Sequence, residues 1–289
     1  MAHYRLLALD IDGTLVGPDS LVPAEVVFAL AEARAAGVGI CLATGRSFVE
    51  SVGTWRQLAL AAPFQPMILV GGALVSEPDT GRSLYQKMIP WAVACEFAEA
   101  MNDMGHVAMV LVDAWRWGLD YLVTEAGDHQ AATRDWFSKM NVRVRRVGRL
   151  AGLADSADRP DALRISIVVA PTDAPAAAEA LRARFAGRLN IRAILAPNYG
   201  VWIVEAHAAG ADKLTALKYV AQAVRLGPGH LAAVGDDIND LPMLQGVGLG
   251  VAMAQAPQVL RNIARHTAAD GLAAFIRQLA AGHFDPKHL

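Results

Sequence analysis

Short apolar runs alternate with helix-like segments at the start of the chain, and this alternation constrains the fold more than any other feature. The runs Leu6–Ile11, Val38–Ala43 and Pro66–Val70 have the length and composition of buried strands. Helical spacing of apolar residues marks Pro23–Ala36 and Ser47–Leu60 between them. Strands separated by helices are typical of a parallel sheet that is covered by helices on both faces.

The same alternation returns near the end of the chain. Lys213–Ala223 and Pro257–Ala264 have the pattern of helices, whereas Leu231–Val234 and Val247–Val251 have that of buried strands. We therefore expect the two ends of the chain to form one α/β domain, a doubly wound parallel sheet of the Rossmann-like kind.

The middle of the chain has a different pattern, in which strand-like segments follow one another directly. The predicted segments there are the helices Trp91–Met104 and Thr172–Phe185, the strands His106–Asp113, Trp117–Val123, Leu163–Val169, Arg188–Leu195 and Tyr199–Val204, and turns at Asp113–Arg116 and Pro197-Asn198. Adjacent strands flanked by helices indicate an inserted α+β domain at residues 84–200. Residues 1–83 and 201–289 then form a discontinuous core domain around it.

Charge and cysteine content exclude several classes of protein. The 289 residues carry 26 basic and 28 acidic side chains, a net charge of −2, which gives no electrostatic footprint for nucleic acid or for an anionic membrane. The hydrophobic fraction of 54% is ample for a buried core. Cys41 and Cys95 lie in apolar surroundings, where we expect two reduced, buried thiols rather than a disulfide framework or a zinc site.

The N-terminal residues bear on where the protein acts. Met1–Arg5 lead at once into the apolar run that Asp10 interrupts, which is too short for a signal peptide and has no cleavage-site pattern. No apolar stretch approaches the about eighteen residues that a membrane-spanning helix needs. We therefore expect a cytoplasmic protein that binds no membrane.

Two acidic residues follow the first predicted strand, in Asp10-Ile11-Asp12-Gly13-Thr14. Alternate residues of a strand share a face, so the two carboxylates can converge just past the sheet edge, where ligands of open α/β sheets bind. One carboxylate can accept a phosphoryl group as a nucleophile, and the second can give a proton to the leaving oxygen and take one from water. An Asp-Gly turn alone would be uninformative, but at roughly one in twenty per position a chance match of four fixed residues is rare.

A hydroxyl and an arginine follow the second predicted strand, in Ala43-Thr44-Gly45-Arg46. A hydroxyl and a backbone N–H at a helix N-terminus form an anion site, which suits a phosphate group. Thr44 could instead cap the helix that follows. Arg46 could reach the substrate, or it could be solvated or paired with a carboxylate.

A lysine and an acidic loop complete the set of polar clusters. Lys213 opens a predicted helix, where a lysine can neutralise a carboxylate nucleophile and a phosphate oxygen. A solvated lysine is the alternative, and Lys218 fits that alternative better. The loop Gly235-Asp236-Asp237-Ile238-Asn239-Asp240 places three carboxylates and an amide directly after a predicted strand. Placing several carboxylates together costs free energy unless a cation offsets their charge, and their oxygens suit magnesium. The alternative is an acidic loop with an Asx turn, which has the same composition.

These four clusters, in this order, resemble the motifs of the haloacid dehalogenase superfamily, specifically those of its Cof-like phosphatases. The resemblance covers nearly the whole chain and implies a large α/β cap domain between the second and third motifs. The roles it implies are Asp10 as nucleophile, Asp12 as acid/base, Thr44 as phosphate-binding hydroxyl, Lys213 as motif lysine, and a magnesium site of Asp236 and Asp240 with the Asp10 carboxylate and the Asp12 main-chain carbonyl. Substrate contacts are expected from Gly13, Thr14, Gly45, Arg46 and Asn239. Gly71-Gly72-Ala73 departs from the family, which often has Asn before Gly-Ala there.

The resemblance implies a magnesium-dependent phosphatase that hydrolyses a small phosphorylated metabolite, such as a sugar phosphate or a phosphorylated cofactor, through an aspartyl phosphate. A hexose phosphomutase and a non-catalytic binding or regulatory protein of the same fold are the alternatives. A protein without turnover has no need of all four motifs, which argues against the second alternative. In this architecture the cap closes over the site and selects the substrate. The cap residues that could face the substrate are Trp115, Trp117, Arg164 and Arg192.

Overall fold

The computed structural model describes residues 3–60, 65–125, 133–134, 137–138, 141–153, 159–196 and 201–286. The turn expected at Pro197-Asn198 lies outside these residues. The chain divides into two compact units, the first formed by Met1–Tyr85 with Asp212–Leu289 and the second by Gln86–Ala211. In the described part, no helix has the length and hydropathy needed to cross a bilayer. The cytoplasmic location stays a prediction.

Strands and helices alternate along most of the chain. In chain order they are β1 Leu6–Leu9, α1 Ala24–Ala35, β2 Gly39–Leu42, α2 Phe48–Gln57, β3 Met67–Leu69, β4 Leu74–Ser76, β5 Ser83–Gln86, α3 Trp91–Asp103, β6 Met109–Val112, α4 Ala114–Trp117, β7 Tyr121–Thr124, β8 Val144–Val147, β9 Ala162–Val169, α5 Ala174–Arg184, β10 Leu189–Ala196, β11 Val201–Ala208, α6 Lys213–Ala223, β12 Leu231–Gly235, α7 Leu241–Gly246, β13 Leu249–Met253, α8 Gln258–Ile263, β14 His266–Ala268 and α9 Leu272–Ala280.

A five-stranded parallel sheet forms the centre of the first unit, with the order β14-β13-β12-β1-β2. All four residues of β1 are buried, as expected for a strand with helices on both faces. Leu6 of β1 pairs with Leu231 of β12 on one side and with Gly39 of β2 on the other. The predicted doubly wound α/β fold is thereby confirmed, and the strand order reverses at β1, between β12 and β2.

The core of this unit lies between the sheet and its helices. Leu6 and Ala8 of β1 belong to one buried apolar cluster with Ala216 and Leu217 of α6. Helix α1 packs against α9. Both cysteines are free, as expected, but only Cys41 is fully buried, while Cys95 in the second unit is half-buried.

The third predicted strand pairs differently from the expectation of one continuous parallel sheet. Strand β3 pairs antiparallel with β4, in a separate three-stranded sheet of order β3-β4-β5. One isolated parallel bridge, Ala43 to Ile68, connects it to the end of β2. The physical reason is the tight turn at Val70–Gly72, where Gly71 and Gly72 have φ values of 62° and 98° and reverse the chain at once.

A six-stranded sheet of order β10-β11-β9-β6-β7-β8 forms the second unit. Its pairs are antiparallel except β7 with β8, and α3 and α5 pack on it, so the region is α+β as predicted. The predicted turn at Asp113–Arg116 is the short helix α4, which Asp113 caps through the N–H groups of Trp115 and Arg116. Contacts group residues 201–211 with this unit because β11 pairs with β9 and β10. The inserted domain at residues 84–200 stays a prediction.

Candidate active site

Polar residues from separate parts of the sequence meet at the carboxyl edge of the parallel sheet. Asp10 follows β1, and its N–H donates to the Val234 carbonyl at 3.1 Å, which continues the ladder with β12. Thr44 follows the end of β2, and its N–H donates to the Ile68 carbonyl at 2.9 Å. Asp236 follows β12 directly. Because these strands are neighbours and parallel, their carboxyl ends place the three residues at one edge of the sheet. This is the edge beside β1, where the strand order reverses and where ligands of such sheets bind.

Lys213 lies buried between two of the acidic residues. It is the first residue of α6, and its side chain is 2% exposed. Its Nζ donates to Asp10 Oδ1 and to Asp240 Oδ1 at 2.6 Å each, and lies 3.4 Å from Asn239 Oδ1. The alternative of a solvated lysine is therefore wrong for Lys213, whereas Lys218 on the same helix is exposed.

The helix that carries Lys213 is fixed by a cap and a close approach of two main chains. Asp212 caps α6 by accepting a hydrogen bond from the N–H of Thr215 at 2.8 Å. Gly72 has a φ of 98°, and a Cβ on it would lie 2.1 Å from the Asp212 carbonyl oxygen. Only glycine fits at this position, so the turn after β3 packs directly on the N-terminus of α6.

Asp240 is wholly buried and uses both of its oxygens within the protein. Oδ1 accepts from Lys213, and Oδ2 accepts from the N–H groups of Asp236 and Asp237 at 3.1 Å each. Asp237 accepts from the N–H of the next residue, Ile238, at 2.7 Å. Asp240 thus orders the loop and holds Lys213. The Asp236 carboxylate instead accepts a hydrogen bond from Thr14, in the loop that follows β1.

The carboxylate of Asp236 lies against the loop that follows β1. Thr14 Oγ1 donates to Asp236 Oδ1 at 3.1 Å. Gly13 has a φ of 74°, and a Cβ on it would lie 2.0 Å from Asp236 Oδ2. Gln255, just after β13, donates from Nε2 to the Gly13 carbonyl at 2.5 Å. Sequence reasoning missed Gln255, because a single glutamine after a strand carries no local signal.

Three carboxylates crowd this edge against one buried ammonium group. Burial raises the pKa of Asp10 well above its usual value; Lys213 offsets this in part, and Asp240 adds to the rise. Burial and the neighbouring Asp240 raise the pKa of Asp236 to about 6. Burial alone would lower the pKa of Lys213, but Asp10 and Asp240 outweigh it and raise that pKa above its usual value. Without a further cation, the burial of this cluster therefore disfavours the charged forms of Asp10 and Asp236.

The same carboxylates fit a divalent cation. Asp10, Asp236 and Asp240 each offer one oxygen atom, and these atoms lie within 4.8 Å of one another. Hard oxygen donors with excess negative charge favour magnesium or a similar ion over a softer metal. Binding of such an ion would favour the charged carboxylates of Asp10 and Asp236, against the burial and the neighbouring Asp240 that raise their pKa values.

Thr44 is buried at the end of the neighbouring strand and does not cap the next helix. Helix α2 begins with a capping box of Ser47 and Glu50, in which the Ser47 N–H donates to Glu50 Oε2 at 2.9 Å. The alternative of Thr44 as an N-cap is therefore wrong. Its hydroxyl accepts a bond from the Arg46 N–H at 3.1 Å, which keeps it at the sheet edge with half-buried Gly45 beside it.

Arg46 pairs with the second aspartate of the first motif. Its Nε donates to Asp12 Oδ2 at 2.8 Å and its Nη2 donates to Asp12 Oδ1 at 2.5 Å. Of the outcomes left open by the sequence, the structure shows the ion pair with a carboxylate. A contact of Arg46 with substrate stays a prediction.

The cap residues singled out from the sequence have unlike environments within the second unit. Arg164 is buried, with Nη1 3.2 Å from Glu205 Oε2 and Nη2 3.0 Å from Tyr121 Oη. Trp115 is exposed, whereas Trp117 is half-buried beneath the Arg116 guanidinium and Arg192 is half-buried on β10. Their part in selecting a substrate stays a prediction.

Two relatives of this chain are named as phosphatases. The chain is 27% identical over 281 residues to the 5-amino-6-(5-phospho-D-ribitylamino)uracil phosphatase YitU of Bacillus subtilis, covering 94% of this chain and 96% of that one. It is 26% identical over 281 residues to the pyridoxal phosphate phosphatase YbhA of Escherichia coli, covering 96% of this chain and 98% of that one. These names agree with the predicted enzyme class, a phosphoric monoester hydrolase.

Solved structures share the fold over nearly the whole chain. BT1666 from Bacteroides thetaiotaomicron, described among the phosphatases of the HAD enzyme superfamily, matches with a TM-score of 0.74 at 20% identity and covers 96% of each chain. A HAD/COF-like hydrolase from Plasmodium vivax also matches with a TM-score of 0.74, at 22% identity, over 98% of this chain and 96% of that one. The family model of the haloacid dehalogenase-like hydrolases matches residues 7–276. The chain thus belongs to the haloacid dehalogenase-like hydrolases, in the Cof-like branch that its motifs predicted.

Proposed function

We propose that this protein is a magnesium-dependent phosphatase that hydrolyses small phosphorylated metabolites through an aspartyl phosphate on Asp10. The observation that carries the proposal is the buried Lys213, whose Nζ is 2.6 Å from both Asp10 and Asp240 at the carboxyl edge of the sheet. A phosphate group entering this edge would find a carboxylate nucleophile, a fixed ammonium group and buried hydroxyls. That set matches the needs of phosphoryl transfer, in which positioning and charge stabilisation do most of the work.

Asp10 is the nucleophile in this mechanism. Lys213 donates to Oδ1, and we assign attack on phosphorus to Oδ2. The Oδ2–P bond forms as the bond from phosphorus to the leaving oxygen breaks, and Asp12 gives its proton to that oxygen. Water then attacks the phosphorus of the aspartyl phosphate, its proton passes to Asp12, and the Oδ2–P bond breaks to release phosphate and restore the Asp10 carboxylate.

We assign phosphate binding to hydrogen-bond donors that line the edge of the sheet. Thr44 offers a buried hydroxyl and Lys213 a buried ammonium group. The backbone N–H groups near Gly13, Thr14 and Gly45 are further donors at the ends of β1 and β2, where nests of N–H groups suit anions. Asn239 helps to hold the Lys213 ammonium group in place, since its Oδ1 lies 3.4 Å from the Lys213 Nζ.

Asp236, the Asp10 carboxylate and the Asp12 main-chain carbonyl would hold magnesium. When bound, magnesium supplies positive charge that offsets the repulsion between Asp10 and the incoming phosphate. Both oxygens of Asp240 already accept hydrogen bonds, from Lys213 and from two N–H groups. We therefore assign Asp240 a supporting role in the site and not a direct bond to the metal.

The names of the relatives support a substrate class. YitU is named for a phosphorylated ribityl compound and YbhA for a phosphorylated cofactor, and both names describe small phosphate monoesters. We therefore assign the same class to this chain: a sugar phosphate, a sugar-alcohol phosphate or a phosphorylated cofactor.

Release of inorganic phosphate from a chromogenic phosphate ester, with and without magnesium, tests the proposal. We expect turnover that needs the metal, that chelation removes, and that Asp10→Asn abolishes with the fold intact. A panel of phosphorylated metabolites then identifies the substrate, and its products distinguish hydrolysis from isomerisation of a sugar phosphate. Appreciable turnover by Asp10→Asn, or turnover that ignores chelation, would contradict the mechanism.

A further inference from the structure

The carboxylate of Asp12 is the more exposed of the two acidic groups in the first motif. Its side chain is 58% exposed, while Asp10 is buried. The main chain beside it is fixed, since the Gly13 N–H donates to the Val16 carbonyl at 3.1 Å. Among the described residues, the hydrogen bonds to the carboxylate itself come from Arg46. Its orientation therefore depends on this arginine.

The Arg46 side chain is less exposed than the carboxylate it binds and has a further hydrogen bond of its own. Its side chain is 16% exposed, and its Nη1 donates to the Glu50 carbonyl at 3.4 Å. Its own N–H donates to Thr44 Oγ1, and its carbonyl accepts from the Val70 N–H at 2.9 Å. The main chain of Arg46 is thus fixed in the loop between β2 and α2, and its guanidinium is bonded to the first turn of α2.

The geometry of the pair sets the plane of the carboxylate as well as its position. Two parallel N–H···O bonds, from Nε and Nη2 to the two oxygens, leave the carboxylate no freedom to rotate without breaking one of them. A lysine offers a single point charge and cannot impose that plane. An acid/base group works only when it reaches the transferred proton in the right geometry, and small displacements cost large factors in rate.

We propose that Arg46 is a positioning residue that acts through Asp12, rather than a residue that binds the substrate. This inference rests on the proposed function, in which Asp12 moves the proton in both steps. Its consequence is specific: Arg46 contributes to turnover only while Asp12 is an acid/base, and it contributes little to substrate affinity.

A double-mutant cycle between the two residues tests this. The variants are Arg46→Met, Arg46→Lys, Asp12→Asn and Asp12→Asn with Arg46→Met, each assayed for kcat, KM and phosphoenzyme by intact mass after an acid quench. Arg82→Met is the matched control, because Arg82 forms the same two-bond pair with Glu77 in the hairpin of β4 and β5. Thermal unfolding of each variant checks the fold.

We expect Arg46→Met to lower kcat by about 10- to 100-fold with KM within about twofold, and Arg82→Met to change neither. With an acyl phosphate as substrate, phosphoenzyme should accumulate in Arg46→Met as in Asp12→Asn. The double variant should turn over no more slowly than Asp12→Asn alone. Arg46→Lys should recover only part of the loss.

Separate outcomes overturn the inference and the function on which it rests. Multiplicative losses in the double variant, or a rise in KM without a fall in kcat, would assign Arg46 to the substrate and overturn the positioning role. Full recovery in Arg46→Lys would show that charge, not the two-bond geometry, matters, and would also overturn it. Absence of phosphoenzyme in Asp12→Asn, or turnover by Asp10→Asn, would overturn the proposed function and the inference with it.

Discussion

Replacing Lys213 by methionine is expected to destabilise the protein strongly, and in a manner that depends on pH. Lys213 is 2% exposed and lies 2.6 Å from Asp10 and Asp240, which are themselves buried. Methionine keeps the apolar part of the side chain but removes the charged amino group. Breaking a buried ion pair by removing one partner costs about 3–5 kcal/mol, because the remaining charges stay buried and unpaired.

The pH dependence follows from the pKa of Asp10. Burial raises that pKa well above its usual value, and Lys213 is the largest opposing influence, so its loss raises the pKa further. A carboxyl whose folded pKa is raised stabilises the folded state below its unfolded pKa and loses that contribution as the pH rises through the folded pKa. The destabilisation by Lys213→Met is therefore expected to be smaller at pH 5 than at pH 8.

Urea unfolding of metal-free protein at both pH values measures the effect. Lys218→Met, an exposed lysine on the same helix, is the matched control and is expected to change the free energy of unfolding by no more than about 0.5 kcal/mol. Added magnesium should reduce the difference between Lys213→Met and wild type, since it offsets the same charges. Equal stability of the two lysine variants at both pH values would refute the reasoning.

Three further predictions concern the metal and the backbone around the site. Asp236→Ala should raise the magnesium concentration needed for half-maximal turnover by at least tenfold; an unchanged titration would mean that the metal is held elsewhere. In wild type, magnesium affinity measured by calorimetry should rise as the pH rises from 5 to 7, because Asp236, with a pKa of about 6, must lose its proton to bind the ion. Gly72→Ala should lower the free energy of unfolding by more than about 2 kcal/mol, because its Cβ would lie 2.1 Å from the Asp212 carbonyl oxygen. Gly37→Ala, with a φ of 88° and open space around its Cβ, is the control and should cost only about 1 kcal/mol.

The parts of the site that local sequence patterns mark were predictable. Asp10, Thr44 and Asp236 each follow an apolar run that forms a strand, and parallel strands bring such ends to one edge. Ser47 and Glu50 carry a capping-box pattern, which could have excluded Thr44 as the cap of α2.

Contacts between distant residues were not predictable in the same way. The pairing of Arg46 with Asp12 was one of several open outcomes, since nothing local distinguishes an ion pair from a solvated arginine. The bond from Gln255 to the Gly13 carbonyl joins residues 242 positions apart. The antiparallel partner of β3 depends on the turn at Gly71 and Gly72, because apolar periodicity identifies a strand but not its neighbour.

The central claim, covalent catalysis by Asp10, is tested most directly by trapping the intermediate. Asp12→Asn keeps the nucleophile but cannot activate water, and an acyl phosphate needs little acid help to leave. Intact-mass analysis after an acid quench should then find one added phosphoryl group on Asp12→Asn, located on Asp10 by fragmentation and absent from Asp12→Asn with Asp10→Asn. An unmodified mass for Asp12→Asn during turnover, or equal rates of wild type and Asp12→Asn on both activated and unactivated esters, would contradict the account.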